Sequence, residues 1–454
     1  MSTGKIYHDV FRLQAILEMT RHISYHKLKL FERKYGNLKL ILIILLSFYK
    51  VTCQFSDVKL FRHGDRSPIE IYQKDKYKAD QWPMGLGELT DIGKRNAYDL
   101  GVFFRKRYMQ KLNLDTNFKP NSPELYIRST AINRAKMSAV YFLAGFYNED
   151  FQSVMKEEEK FQTKYNVRFE PEEQDQLLSM TSCPNADKLK EEWEDKSTEY
   201  KDFIKHHQDI FNLMKNTGWS DPDQMNAIVD DIYCETSHNR TQPDWVQQNF
   251  KALMKYWDES KKFQSPTPKL LQLNTGPLMS KLMKTIDDKI HRESKSKMVI
   301  FSAHDSTIIN FLLGLQSFNN RQPPYSSAVI IELYQNQKMF YVNILYHNDS
   351  KTEPYHFTIP GCEQTAQCRS GILRQEAMKV TFSTNEREAF CGGVFRSHSL
   401  NITDNIIPVS VVIVIGVCAV LSIIMYRLYR RRRRPVGDPM MYRPLAYGDD
   451  DEDV

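Results

Sequence analysis

Several common functional signatures are missing from this chain of 454 residues. The sequence has no zinc-finger spacing of cysteines and histidines, no glycine-rich phosphate loop and no heptad run. These absences leave no sequence evidence for a zinc-finger domain, a P-loop nucleotide enzyme or a coiled coil. Cysteine is present in moderate number, with 7 residues. Function must therefore be sought in how ionisable residues are placed along the chain.

The formal net charge of +6 does not predict a nucleic-acid partner. A run of consecutive arginines extends from Arg430 to Arg434, and a second basic region precedes residue 40. Both flank apolar segments, a position typical of membrane topology signals rather than of nucleic-acid binding. We therefore expect a membrane protein that binds no nucleic acid.

Two apolar segments lie near the ends of the chain. Residues 1–53 are predicted to be a basic region with a signal peptide, because residues 38–48 are apolar but short. An uncleaved signal anchor is the alternative, and a little-used upstream start codon would explain the length of the basic region. Residues 405–426 are long and apolar enough for a transmembrane helix. The arginine run after them predicts that residues 427–454 form a cytoplasmic tail.

The region between the apolar segments carries features of the secretory pathway. Glycosylation sequons begin at Asn239, Asn348 and Asn401. The same region holds the cysteines Cys183, Cys234, Cys362, Cys368 and Cys391. Together they predict an oxidising compartment, although spacing alone does not choose the disulfide pairs. The prediction is a type I single-pass protein whose main body is lumenal or extracellular.

The main body is predicted to contain an α/β domain interrupted by a helical insertion. Residues 54–144 and 263–395 alternate short apolar strands with helical periodicity, and residues 328–333 and 339–345 are expected to be adjacent strands. Residues 145–262 instead show charged runs and aromatic residues at helical spacings, with no convincing strand. We interpret them as an inserted helical domain whose charged runs are solvated helix faces.

Predicted strands end at ionisable residues in three places. These residues are Arg62, His63 and Arg66; Arg128; and His304 with Asp305. Ligand sites in α/β sheets collect at such strand ends. Ser129 or Thr130 is predicted to cap the helix after Arg128, which would present free N–H groups to an anion.

These side chains suit phosphoryl transfer if the strand ends converge. The arginines can neutralise a phosphate, and a neutral His63 imidazole can attack it to form a phosphohistidine. Asp305 can protonate the leaving oxygen and later deprotonate water. Because arginines supply the charge, no metal and no cofactor are expected. A donating carboxylic acid must be protonated, so activity should favour acidic pH. Taken singly, each motif also fits a surface turn or a hydrogen-bonded core pair.

The motifs resemble those of the histidine acid phosphatase family, closest to its lysosomal and prostatic type. The resemblance is carried by residues 62–68, 82–90, 126–130 and 302–305, with further matches at 231–235 and 359–362. It implies a mixed-sheet, phosphoglycerate-mutase-like α/β domain with a smaller inserted helical domain. It also implies hydrolysis of small-molecule phosphate monoesters, with His63 as nucleophile and Asp305 as proton donor. The phosphate-binding residues that it implies are Arg62, Arg66, Arg128 and His304.

The resemblance has further implications and some departures. It implies disulfides between Cys183 and Cys391 and between Cys362 and Cys368. Cys234 is expected to be a free thiol, because Ala328 stands where the family usually has its partner. The family usually has Asp after Arg-Ser-Thr, but this chain has Ala131, which puts the support of Arg128 in doubt. Related enzymes are commonly dimers, so a homodimer is an open expectation.

The predicted tail contains a further motif. Tyr442 and Leu445 form a Tyr-x-x-bulky-apolar pattern similar to endocytic and lysosomal sorting signals. We therefore expect a sorting adaptor as a partner and the lysosomal membrane or cell surface as the location.

Alternative functions remain open from the sequence. One is a catalytically inactive surface receptor or adhesion protein that retains the fold. Others are a phosphoglycerate-mutase-like enzyme and a phosphatase narrowed to phospholipid or inositol phosphate substrates. The pair His304-Asp305 favours simple monoesters, because many enzymes of the group that act on multiple phosphates carry Glu after His-Ala.

Overall fold

A mixed β-sheet lies at the centre of the computed structural model, which describes residues 53–179, 183–219, 224–348, 352–363 and 367–391. Its strands are β1 Cys53–Arg62, β2 Leu125–Ser129, β3 Arg168–Phe169, β4 Met298–Ala303, β5 Ala328–Asn336, β6 Met339–His347, β7 Tyr355–His356 and β8 Cys368–Arg369. The order across the sheet is β3-β2-β4-β1-β5-β6-β7, and β8 pairs with β6. The predicted mixed-sheet α/β architecture is therefore confirmed, including the adjacent pair β5 and β6.

Four neighbouring strands of this sheet, β3, β2, β4 and β1, run parallel. β4 lies between β1 and β2 and pairs with both in parallel, whereas β5 pairs with β1 in antiparallel. Every residue of β4 is buried, as expected for a strand covered on both faces. The carboxyl ends of β1, β2 and β4 therefore meet at one edge of the sheet.

Helices cover both faces of the sheet. They are α1 Asp91–Tyr108, α2 Asn133–Phe146, α3 Phe151–Lys156, α4 Glu158–Tyr165, α5 Pro184–Lys196, α6 Thr198–His206, α7 Gln208–Met214, α8 Met225–Ser237, α9 Asp244–Ser260, α10 Pro268–Ile290, α11 Asp305–Gly314, α12 Ser370–Met378 and α13 Thr384–Cys391. Successive strand residues point to opposite faces, so Phe61 packs with Phe142 of α2 while Leu60 packs in the cluster of α10 and α11. This alternation produces two apolar layers around the sheet.

Two glycines let α1 and α2 pack at very short range. A Cβ atom added to Gly101 would lie 2.0 Å from the Phe142 carbonyl oxygen, and one added to Gly145 would lie 2.1 Å from that of Tyr98. No side chain fits at these distances, so glycine is required at both positions. The close contact holds α2 against α1.

Residues 145–262 are largely helical but not wholly so. A separate apolar cluster joins α8 and α9 through residues such as Ile228, Leu253 and Trp257. The expectation of no strand is wrong, because Arg168–Phe169 pairs in parallel with the end of β2. A strand of only two residues is too short to show the alternating apolar pattern from which strands are predicted.

The predicted cap of α2 is also wrong. The helix begins at Asn133 with Ile132 at its N-cap. Ser129 belongs to β2, and the Thr130 amide donates to the Ser302 carbonyl oxygen at 3.3 Å. Because the sheet pairing continues through these two residues, they are not available to start a helix.

Two disulfides join described residues, Cys183 with Cys391 and Cys362 with Cys368. These are the pairs that the family resemblance implies. Cys234 is a buried free thiol, as the resemblance also implies.

In the described ranges, no helix is long and apolar enough to cross a membrane. The predicted transmembrane segment 405–426, the tail 427–454 and nearly all of the predicted signal region 1–53 lie outside those ranges. Asn401, Tyr442 and Leu445 lie outside them as well, so these assignments stay predictions.

Candidate active site

The three ionisable strand ends converge at the edge where β1, β2 and β4 finish. Arg62 of β1 lies opposite Ala303 of β4, and Ser129 of β2 lies opposite Ser302. The imidazole rings of His63 and His304 lie 5.5 Å apart between their centroids. Parallel pairing alone explains this convergence, since it aligns the carboxyl ends of the strands.

His63 is held as a neutral imidazole in which one ring nitrogen is engaged in a hydrogen bond. Its Nδ1 lies 2.8 Å from the Gly64 carbonyl oxygen, which can only accept, so Nδ1 carries the proton. The other nitrogen, Nε2, therefore keeps its lone pair. Burial, with Arg62 and then Arg134 adding to it, holds the pKa of His63 well below its usual range. The ring is thus held in its neutral form, with Nε2 available as a nucleophile.

Arg62 is fully buried beside His63. Its Nη1 donates to the Pro323 carbonyl oxygen at 2.6 Å, and its guanidinium lies 4.2 Å above the Tyr325 ring. Its Nη2 lies 3.2 Å from Asp305 Oδ2. Among the described residues, its Nε has no hydrogen-bond partner. A fixed cation with an unused donor suits an oxyanion.

Arg66 is fixed by a carboxylate that the sequence analysis did not single out. Both of its terminal nitrogens donate to Asp230, each at 2.9 Å, in a bidentate pair. Asp230 directly precedes the matching stretch 231–235, and that adjacency is the one signal that could have identified it. The pair sets the orientation of Arg66 and partly offsets its charge.

Arg128 has a buried carboxylate partner of its own. Its Nη2 lies 2.5 Å from Asp175 Oδ1, and that oxygen also accepts from the Leu177 and Leu178 amides at 3.0 Å each. Asp175 therefore provides the support that Ala131 put in doubt. It lies in the region between β3 and α5, for which the sequence offered only a composition-based prediction.

His304 and Asp305 stand at the N-terminus of α11. His304 Nε2 lies 3.0 Å from Thr130 Oγ1, and burial together with Arg134 lowers the pKa of His304 to about 3. Asp305 accepts from the Ser306 amide at 2.8 Å and from the Gln322 side chain. Both groups are thereby oriented toward the strand ends.

The charge state of Asp305 differs from the sequence-based expectation. Burial alone would raise the pKa of its carboxyl, but Arg62, Lys261 and neighbouring cations outweigh burial and hold it well below its usual range. The free site therefore contains an ionised Asp305, not the protonated acid that the sequence analysis assumed. Several cations surround this single carboxylate, and together they favour its charged form.

Arg134 is a site residue that the sequence analysis missed. It lies in the first turn of α2, donates to the Gly87 carbonyl oxygen at 3.2 Å, and lowers the pKa of both His63 and His304. Burial lowers its own pKa to about 10. A cation in the first turn of a helix opposes the helix dipole, and that local conflict was the available signal.

In the described part of the chain, two groups of histidine and carboxylate side chains lie close enough together to hold a metal ion. One group is Asp75, Asp231 and Glu235, and the other is His206, His207 and Glu259. Neither includes a residue predicted to bind phosphate.

The model of the histidine phosphatase superfamily (branch 2) matches residues 58–347, a range that contains all six predicted catalytic and phosphate-binding residues. The chain belongs to this superfamily.

Curated relatives include proteins named prostatic acid phosphatase and lysosomal acid phosphatase. The chain is 30% identical over 355 residues to prostatic acid phosphatase of Homo sapiens, covering 72% of this chain and 88% of the relative. It is 33% identical over 314 residues to lysosomal acid phosphatase of Xenopus laevis, covering 67% and 71%.

Solved structures with the same fold include bacterial phytases. The Hafnia alvei phytase in its apo form has a TM-score of 0.55 and 16% identity, and covers 73% of this chain and 97% of that one. At this identity the similarity establishes the fold alone.

Proposed function

We propose that the chain is an acid phosphatase that hydrolyses phosphate monoesters through a phosphohistidine on His63. The observation that carries the proposal is the hydrogen bond from His63 Nδ1 to the Gly64 carbonyl, which leaves the Nε2 lone pair free. Relatives named prostatic and lysosomal acid phosphatase support it. Arg62, Arg66, Arg128 and His304 are assigned to phosphate binding.

The first step transfers the phosphoryl group to the enzyme. The Nε2 lone pair of His63 forms a bond to phosphorus while the bond to the ester oxygen breaks. The electrons of the broken bond stay on that oxygen, which takes a proton from Asp305 and leaves as an alcohol. The arginines stabilise the charge that develops on the phosphoryl oxygens.

The proton for this step can arrive with the substrate. A phosphate monoester has a second pKa of about 6, so at acidic pH it carries one remaining proton. The ionised Asp305 can take that proton and pass it to the ester oxygen. A preference for acidic pH then reflects the protonated substrate and does not require a protonated Asp305 in the free site.

The second step restores the enzyme. Water attacks phosphorus, Asp305 takes a proton from the water, and the electrons of the nitrogen–phosphorus bond return to His63 Nε2. The phosphate takes the proton from Asp305 as it leaves. Each group ends in the state in which it began, and the cycle uses no cofactor.

The proposed setting is the lysosomal membrane or the cell surface, with the catalytic domain lumenal or extracellular. The two disulfides and the exposed sequon residues Asn239 and Asn348 support an oxidising, glycosylating compartment. The single membrane pass at 405–426, a sorting adaptor at Tyr442 and Leu445, and a homodimer belong to this proposal as predictions.

A turnover assay tests the proposed activity. The detergent-solubilised full chain should hydrolyse 4-nitrophenyl phosphate near pH 5 in the presence of EDTA. His63→Ala should lower kcat by about a thousandfold or more, as the loss of a covalent nucleophile does in other enzymes. The matched control, His291→Ala, removes an exposed histidine at the end of α10 and should leave kcat unchanged. Undiminished turnover in His63→Ala would refute the mechanism.

A further inference from the structure

A cavity of about 500 Å³ opens beside Asp305. Its lining includes Lys190, Phe203, Tyr256, Lys261, Phe263 and Gln322. In the proposed function, Asp305 protonates the ester oxygen of the substrate. This cavity is therefore open to a leaving group attached to that oxygen, and its wall can contribute to substrate choice.

Lys261 is the unusual residue of this wall. It directly follows α9, and its Nζ donates to the Asn226 side-chain oxygen at 3.4 Å. That oxygen also accepts from Ser260 Oγ at 3.0 Å, so the lysine shares a single neutral acceptor. Within the described part of the chain, no carboxylate lies at ion-pairing distance from this ammonium.

Other lysines nearby have carboxylate partners. Lys190, on the same cavity wall, lies 2.5 Å from Glu194, and Lys262 lies 2.7 Å from Glu199. Lys261 is half-buried, so its ammonium has lost part of its hydration without gaining a carboxylate partner. An ammonium has three hydrogen-bond donors, so most of its capacity remains for a ligand in the cavity.

The residues assigned to phosphate binding do not depend directly on the positive charge of Lys261. The three arginines among them already have carboxylate partners, as Arg62 pairs with Asp305, Arg66 with Asp230 and Arg128 with Asp175. Lys261 is near enough to lower the pKa of Asp305, yet it faces the cavity that receives the leaving group. Its position thus suits an anion on the leaving group rather than the phosphate that reacts.

We propose that Lys261 binds a second anionic group, a carboxylate or a second phosphate, on the leaving group of the substrate. The inference rests on the proposed phosphatase function and narrows it to monoesters whose leaving group is itself anionic. Lys261 is then a specificity-determining residue, and the four residues assigned to phosphate binding remain as they are.

Matched pairs of esters test this specificity and separate the two anion types. Phenyl phosphate and 3-carboxyphenyl phosphate differ by a carboxylate, while propyl phosphate and propane-1,3-diol bisphosphate differ by a second phosphate. The measured quantity is the ratio of kcat/KM for the anionic ester to that for its neutral partner. Lys261→Met should lower this ratio about tenfold for at least one pair, since a charge-assisted contact is lost. Lys261→Arg should restore part of it.

The control variant is Lys262→Met, which removes the neighbouring lysine and should leave both ratios unchanged. Turnover of phenyl phosphate by Lys261→Met shows that the variant has folded, and Lys261→Gln serves as a second neutral variant. If the wild type hydrolyses both members of each pair but neither neutral variant changes either ratio, the role of Lys261 is overturned. If the wild type hydrolyses none of the four esters, the proposed phosphatase function itself fails, and the inference fails with it.

Discussion

His304 makes the stability of the protein depend on pH. Its pKa is lowered from 6.5 to about 3 by burial and by Arg134. Between these values the unfolded chain binds a proton at this residue and the folded chain does not. The contribution of His304 to the free energy of unfolding therefore rises with pH across this range, by about 1.4 kcal/mol per pH unit.

We expect acidification from pH 6 to pH 4 to reduce the free energy of unfolding more steeply in the wild type than in His304→Asn. The variant removes the titrating group but keeps an amide that can hydrogen-bond with Thr130. Urea denaturation at several pH values measures the two slopes. Equal slopes would show that His304 does not titrate as its surroundings indicate.

Arg134 should contribute to the acidic limit of catalysis. Its charge disfavours the imidazolium form of His63, after the larger effects of burial and Arg62. Arg134→Met should therefore raise the pKa of His63, and the acidic limb of the kcat/KM profile should move to higher pH. Full pH–rate profiles of both proteins measure the shift.

Arg95→Met provides the control for Arg134. Arg95 is an exposed residue of α1 paired with Asp99. Its replacement should leave the acidic limb in place. A limb that stays fixed in Arg134→Met as well would mean that this arginine does not act on the nucleophile.

At the scale of elements, the contact between α1 and α2 should be sensitive to one added methyl group. Gly101→Ala would place Cβ 2.0 Å from the Phe142 carbonyl oxygen, so the helices must separate. We expect a loss of about 2 kcal/mol in the free energy of unfolding, typical of overpacking. Chemical denaturation of the purified variant measures it.

Gly371→Ala is the matched control for that substitution. Gly371 lies in α12, and an added Cβ would meet nothing within 4 Å. Alanine favours helix over glycine, so this variant should gain about 0.5–1 kcal/mol. Similar losses in both variants would contradict the close helix contact.

The secondary-structure elements also explain which site residues could be predicted from the sequence and which could not. The strand ends at Arg62, Arg128 and His304 were predictable, because apolar strand runs before charged residues are local signals. Asp175 was not, since it lies in a segment whose place in the fold depends on distant contacts. Lys261 likewise belongs to a region where the sequence indicated helices but not which residues they bring to the sheet edge.

At the scale of the whole molecule, the two disulfides should contribute unequally to stability. Cys183 and Cys391 are separated by 208 residues, whereas Cys362 and Cys368 are separated by 6. A longer closed loop removes more entropy from the unfolded chain, which gives about 5 and about 2 kcal/mol respectively in the chain-entropy model. The double substitution of Cys183 and Cys391 by Ser should therefore lower the free energy of unfolding more than that of Cys362 and Cys368. An equal or reversed order would contradict this account.

The central claim is that His63 accepts the phosphoryl group. Rapid mixing of the full chain with ³²P-labelled phosphate monoester at acidic pH, followed by quenching in alkali, preserves a phosphohistidine for peptide mapping. The account predicts label on the peptide that contains His63 and no label in His63→Ala. Label on another residue, or label that persists in His63→Ala, would contradict it.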